Sequence, residues 1–333
     1  MGDFLGCSNT YGLRKSVLLA LICLWALSSP CQEVTLHSQS IVVLVPTLVT
    51  DGDGNALHRL SAEDFYVLDN GVEQTVKMDS TLVSAPVSMV VVIDQGKGAG
   101  KMLDKVRRAG SMIDPIVGDG KGKVALVGFD SKVKLLSDFT SDTDDISAAL
   151  KQVKLGDSGA AILDAIRYSS RLLERCSKTD RKVILLMSET KDSGSMTTES
   201  EVLRQIEASN TMVYSIAYSS VTDSLFGEPQ NTQSSVNLLT VFSNIVKATK
   251  ENVAKTLAQL SGGEYLSFGS ERVFEDRVAN INNHFFNQYL LSFQPKRPDA
   301  GQHTIQVGLR HPAAVNVYAR AGYWVQGTVP EAN

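Results

Sequence analysis

Apolar and polar positions along this chain follow two different rhythms. From Ser40 to Asp79 the pattern is that of strands and tight turns. Ser40–Thr50 is rich in β-branched residues, which suit a pleated, half-buried surface. Asp51-Gly52-Asp53-Gly54-Asn55 is a turn cluster, and Ser61–Asp64 a short capped turn leading into Phe65–Asp69. Asn70-Gly71 is a two-residue hairpin signal, with Val72–Met78 as the return strand. So few strands cannot bury a core alone.

From Val87 to about Phe285 strands and helices alternate. Val87–Asp94 (VSMVVVID) is an unbroken apolar run ending in a carboxylate. An apolar run without alternation predicts a strand covered on both faces of a parallel sheet. Further strands are predicted at Lys123–Phe129, Val133–Leu136, Lys182–Met187, Met212–Tyr218 and Glu264–Phe268. Helical spacing predicts helices at Lys101–Ile116, Asp144–Val153, Ala160–Cys176, Glu199–Ser209, Asn252–Leu260 and Glu271–Phe285. Repeated βα units imply an α/β fold, a doubly wound and mostly parallel sheet with helices on both faces. The polar stretch Ser219–Ser235 interrupts them as a surface loop. Three strands close the chain, at Gln288–Gln294, Gln302–Arg310 and Val315–Ala321. The expected organisation is a leader at 1–31, a front β-module at 32–85, an α/β unit at 86–286, and C-terminal strands at 287–326 completing the sheet of the front module.

The first segment changes the picture of location. Arg14 and Lys15 precede the apolar run Val17–Leu27, and Ser28, Ser29 and Pro30 follow. That is the layout of a secretory signal. The apolar run is shorter than the roughly 20 residues a spanning helix takes. Export to a secreted or periplasmic location is expected, with no transmembrane helix in the mature chain. Cys7 and Cys23 would leave with the leader, Cys31 lies in the cleavage region, and Cys176 is a single thiol in the folded part. No disulfide framework follows from that count. The formal charge of −4 over 333 residues shows no basic stripe, which argues against nucleic acid as a partner.

In open α/β folds, ligands bind beyond the carboxyl ends of the strands, so Asp94 stands where chemistry is expected. The Gly-rich turn Gly96–Gly100 before a helix suggests a phosphate loop, but the spacing fails. Gln95 occupies the first Gly position and Met102 the magnesium-binding hydroxyl position. The Asp51–Asn55 cluster lacks the Gly and Glu of a calcium loop, having Ala56 and Ala62 there. None of the five histidines, His37, His58, His284, His303 and His311, falls in a loop at the sheet mouth, and His303 and His311 are expected as exposed β-residues. Without a nucleophile, base and orienting group together, no enzyme is expected.

The combination of segments resembles secreted bacterial proteins with a von Willebrand factor type A-like domain, of the kind abundant in acidobacteria. The resemblance rests on LVTDGDGNALHRLSAEDFYVLDNGVEQTV, VSMVVVID, VILLMSETKDSGS, QYLLSFQP and ARAGYWV, and so covers nearly the whole mature chain. It implies a divalent metal held by an Asp-x-Ser-x-Ser motif, a Thr opening a later helix, and an Asp after a later strand. At those positions this chain has Asp94, Gly96, Gly98, Ala160 and Glu189. Gly and Ala offer no side-chain oxygen, while a hard cation such as Mg²⁺ needs a near-octahedral oxygen set. The expectation is therefore a degenerate metal-ion-dependent adhesion site with no metal and no cofactor, on a non-enzymatic adhesion or protein-interaction module. Its partner would be an unidentified extracytoplasmic protein. The alternative is a metal-dependent adhesion domain using Asp94, Asp157, Ser158, Glu189 and Asp192, with weak Mg²⁺ or Ca²⁺ binding. In the degenerate case, Lys97 or Lys191 is expected to sit between Asp94 and Glu189 and offset their repulsion.

Overall fold

The computed structural model describes residues 41–78, 85–107, 122–218, 252–268, 271–311 and 315–325. The leader expected at 1–31, the distal part of the helix expected at Lys101–Ile116, and the loop expected at Ser219–Ser235 lie outside these residues.

The α/β unit is organised by β5 (Val87–Asp94), every residue of which is buried. Met89, Val91 and Ile93 face one apolar cluster, and Val90 and Val92 face another. This two-sided burial is why the run shows no alternation. Beside β5 lie β6 (Lys123–Phe129) and β8 (Arg181–Ser188), both parallel to it. Then come β9 (Thr211–Tyr218) and β10 (Tyr265–Phe268) on one side and β7 (Val133–Thr140) on the other. The six-stranded order is β10-β9-β8-β5-β6-β7. Only β7 runs antiparallel, pairing with β6 through an irregular register. It continues four residues past its expected end at Leu136, because the second half stays on the sheet edge.

Helices cover both faces: α1 (Gly100–Val106), α2 (Thr143–Gln152), α3 (Ile162–Glu174), α4 (Glu199–Ala208), α5 (Val253–Ser261) and α6 (Glu271–Phe286). On α3, the residues Ile162, Leu163, Ala165, Ile166, Leu172 and Leu173 form the buried stripe. The start of α4 is fixed by a capping box between Thr198 and Glu201. Cys176, just after α3, is a buried free thiol.

The front strands are β1 (Val43–Thr50), β2 (Phe65–Asp69), β3 (Val72–Glu73) and β4 (Lys77–Met78). The C-terminal ones are β11 (Tyr289–Phe293), β12 (Gly301–Leu309), β13 (Asn316–Ala319) and β14 (Gly322–Val325). They interleave in two four-stranded sheets, β13-β1-β11-β4 and β14-β12-β2-β3, instead of the single sheet expected. One expected strand divides to make this possible: the return strand after Asn70-Gly71 splits into β3 and β4, one per sheet. The last expected strand, Val315–Ala321, corresponds to β13, and β14 follows it as a further strand in the other sheet. A shared apolar core joins Val43, Val45, Phe65, Val67, Leu291, Phe293, Ile305 and Val307. His303 is buried there rather than exposed. Its ring nitrogens lie 2.8 Å from Asp69 Oδ1 and 2.7 Å from the Asp299 carbonyl, and the Tyr323 hydroxyl donates to Asp69 Oδ2 at 2.9 Å.

Candidate functional site

The carboxyl ends of β5, β6 and β8 lie side by side, since Asp94 is in register with Phe129 and Ile93 with Met187. This brings Asp94, Asp130 and Glu189 to one mouth of the sheet. Asp94 is 1% exposed. Its Oδ1 accepts the Gly96 N–H at 2.8 Å and its Oδ2 accepts the Glu189 N–H at 3.2 Å. Burial pushes its carboxyl up to about 6, against the pull of those two amides, and the nearby charges of Glu189 and Asp130 add to the rise.

The Gly-rich turn after β5 is held by backbone contacts. The Gln95 N–H donates to the Phe129 carbonyl at 2.6 Å, and the Gln95 carbonyl accepts the Gly156 N–H at 2.7 Å. The Lys97 N–H donates to the Asp157 carbonyl at 2.9 Å. A Cβ on Gly96 would lie 2.6 Å from the Gly159 carbonyl oxygen, closer than such atoms come. A Cβ on Gly98 would fall on the Glu189 carboxylate. The Glu189 side chain thus occupies the space above Gly98 that a longer residue there would take.

The remaining expected residues serve the loops around the mouth. Asp157 accepts the Ser131 and Gly159 N–H groups at 3.0 and 2.8 Å, together with the Ser131 hydroxyl. These bonds hold its carboxyl below the usual range. Ser158 is exposed. Ala160 exchanges backbone hydrogen bonds with Ser193, tying the start of α3 to the β8–α4 loop. Asp192 accepts the Leu163 N–H at 3.0 Å and the Ser195 hydroxyl at 2.6 Å. It therefore caps α3 from outside, where Ala161 has no side-chain oxygen to offer. Among the described residues, no three His, Cys, Asp or Glu side chains converge as a metal-binding group.

The expected lysine bridge between the carboxylates is corrected by this geometry. Lys97 and Lys191 are exposed, and neither forms an ion pair with Asp94 or Glu189 among the described residues. Backbone N–H groups serve Asp94 instead. A fixed amide costs no side-chain entropy to position, whereas a lysine would have to order its stem.

Asp130 is the site residue that the sequence reading missed. It is 5% exposed, accepts the Lys132 N–H at 2.9 Å, and lies 3.4 Å from Lys134 Nζ. Gly156 leaves the room its carboxylate takes. The available signal was a second apolar strand, KVALVGF, followed directly by an acidic residue, much as VSMVVVID ends in one.

The metal implied by the resemblance does not fit this arrangement. Gly96, Gly98 and Ala160 supply no hydroxyl, both oxygens of Asp94 already accept backbone protons, and Gly159 blocks any side chain at position 96. Gln95 Oε1, a buried oxygen without a donor among the described residues, lies over Gly128 and so does not supplement the set.

Residues 89–193 match the model of the von Willebrand factor type A domain. No curated protein matches the chain. Among solved structures, it resembles three N-terminal domains of the type V pili tip protein Mfa5 from Porphyromonas gingivalis, with 17% identity and TM-score 0.30, over 46% of this chain and 27% of that one. It also resembles proximal thread matrix protein 1 from the mussel byssus, with 13% identity and TM-score 0.44, over 65% of this chain and 49% of that one. For BatB from Bacteroides thetaiotaomicron the values are 12%, 0.38, 60% and 98%. The chain thus spans about a quarter and a half of the first two of these proteins. The matched segment runs from β5 to the loop after β8 and carries Asp94, Ala160 and Glu189, and the unit built around it has a von Willebrand factor type A-like α/β fold.

Proposed function

We propose that this protein is a secreted or periplasmic protein-interaction or adhesion module, not an enzyme, whose metal-ion-dependent adhesion site is degenerate. The match of residues 89–193 to the type A domain supports an interaction role, since such domains serve as interaction modules. The observation that carries the reading is how the carboxylates at the sheet mouth are held. Asp94 is satisfied by two amides, and the Glu189 carboxylate lies over Gly98. The binding surface is the rim around that mouth, from Asp94 to Gly100, Asp157 to Ala160 and Glu189 to Ser195. Contacts there would come from backbone groups and from the exposed Lys97 and Lys191, with no cation bridging to a partner's carboxylate.

The leader at 1–31 supports export. No helix among the described residues is long and apolar enough to cross a membrane. The division proposed is a β-domain assembled from residues 32–85 and 287–326, with the α/β unit at 86–286 inserted between its halves; the strand pairing of β1 with β11 and β13 supports it. The functional test is capture of partners by the purified protein with and without EDTA. The reading expects the same partner in both conditions. A partner lost on chelation would overturn the metal-free account.

A further inference from the structure

We infer a binding site for one small tetrahedral oxyanion, phosphate or sulfate, in the cavity between the α/β unit and the β-sheets that flank it. The cavity lies at the amino ends of β8 and β9, at the end of the sheet away from Asp94. It measures about 80 Å³. That exceeds the roughly 30 Å³ share of a single water and falls far below the several hundred Å³ typical of pockets for larger organic ligands. Lys178, Asp180, Arg181 and Lys182 line it from the α3–β8 connection and the start of β8, and Arg320 lines it from the far side.

The charges around this cavity do not balance. Arg320 is committed: it donates to the carbonyls of Gly322, Leu44 and Glu207 and to Asn210 Oδ1, and the Glu207 charge lies close by. Asp180, the one carboxylate in the lining among the described residues, accepts the Ser88 hydroxyl at 2.6 Å and pairs with Lys123 at 3.7 Å. Arg181 is held by Nη2 alone, which donates to the Phe285 carbonyl at 3.1 Å and Gln288 Oε1 at 3.4 Å. Its guanidinium stacks 3.9 Å from the centre of the Phe285 ring. Both acceptors are neutral. Lys178 and Lys182 form no ion pair among the described residues.

Three cationic residues, Lys178, Arg181 and Lys182, therefore line the cavity against one shared carboxylate, and only Nη2 of the Arg181 guanidinium has a hydrogen-bond acceptor among the described residues. Burial weighs against the Arg181 charge. An oxyanion placed among these groups would receive charge-assisted hydrogen bonds, which are stronger than neutral ones. Arg181 is already oriented by Phe285, so little ordering remains to oppose binding.

Thermal unfolding of the purified protein tests this, with sodium phosphate or sulfate at low millimolar concentration against chloride of equal ionic strength. A site that is saturated stabilises the folded state by mass action, and the expected shift is about 2–4 °C upward in Tm. Lys178 is exposed and Lys182 half-buried, and neither forms an ion pair among the described residues, so Lys178→Ala/Lys182→Ala is expected to fold. It should lose most of the shift, while Lys151→Ala on α2 keeps it. This contrast separates a site from the general stabilisation that such salts give at high concentration. Equal Tm in phosphate, sulfate and chloride, or an unchanged shift in the double variant, would overturn the inference.

Discussion

Asp94 is a buried carboxylate at the mouth of the sheet, held by two backbone amides. Its carboxyl is pushed up to about 6 in the folded protein, against an ordinary value of 3.8. The folded state therefore holds a proton that the unfolded state releases between those values. Stability from this group is present below about pH 4 and falls as pH rises through about 6. Two pKa units correspond to about 3 kcal/mol at most. Asp94→Asn removes the cost of ionisation, so its Tm should gain on the parent between pH 4 and pH 7.5. Parallel curves over that range would count against it. The neighbouring glycines should differ from each other. Gly96→Ser meets a carbonyl that belongs to the backbone and should cost about 1–3 kcal/mol in denaturant unfolding, the usual range for overpacking. Gly98→Ser meets the movable end of Glu189 and should cost less. Equal losses would mean that Gly159 yields as easily as a side chain. Asp94 was legible as a carboxylate closing an apolar strand. Its amide partners and the packing of Glu189 on Gly98 were not, because they arise from loops about 95 residues apart in sequence that only the sheet brings together.

Among the elements, buried central strands were read most completely. β5, β6, β8 and β9 are buried on both faces, and such burial leaves an unbroken apolar run in the sequence. The terminal strands were harder. Val315–Ala321 reads as the last strand and contains β13, but β14 follows at Gly322–Val325 in the other sheet and was not read as a strand. Between the two strands lies Arg320, whose guanidinium is buried and bonded to carbonyls of Leu44, Glu207 and Gly322. A buried arginine at the crossing point leaves no periodic signal. Helix starts were legible where the cap is local, as at Thr198 and Glu201, and not where it is remote. Asp192 caps α3 from another loop, so Asp192→Ala should lower stability by about 1 kcal/mol in urea unfolding, within the range for lost caps. A change indistinguishable from zero would mean that water serves Leu163 equally well.

For the whole molecule, chain order and spatial order disagree. β1 lies between β11 and β13, and β2 pairs with β12, so the first strands complete their sheets only with the last. A fragment of residues 32–85 should therefore lack a cooperative thermal transition by circular dichroism; a sharp one would show a self-sufficient module. Periodicity made a pairing of the first strands with the last legible, since neither terminal segment has enough strands for a core. It could not show that two sheets form, because β3, β4 and β14 are too short to carry a periodic signal. The central claim, that the mouth of the type A-like sheet works without a cation, is tested most directly by calorimetric titration of the purified protein with Mg²⁺, Mn²⁺ and Ca²⁺. The account expects no saturable heat for any of the three. A stoichiometric site at Asp94 and Glu189, abolished by Asp94→Asn, would contradict it.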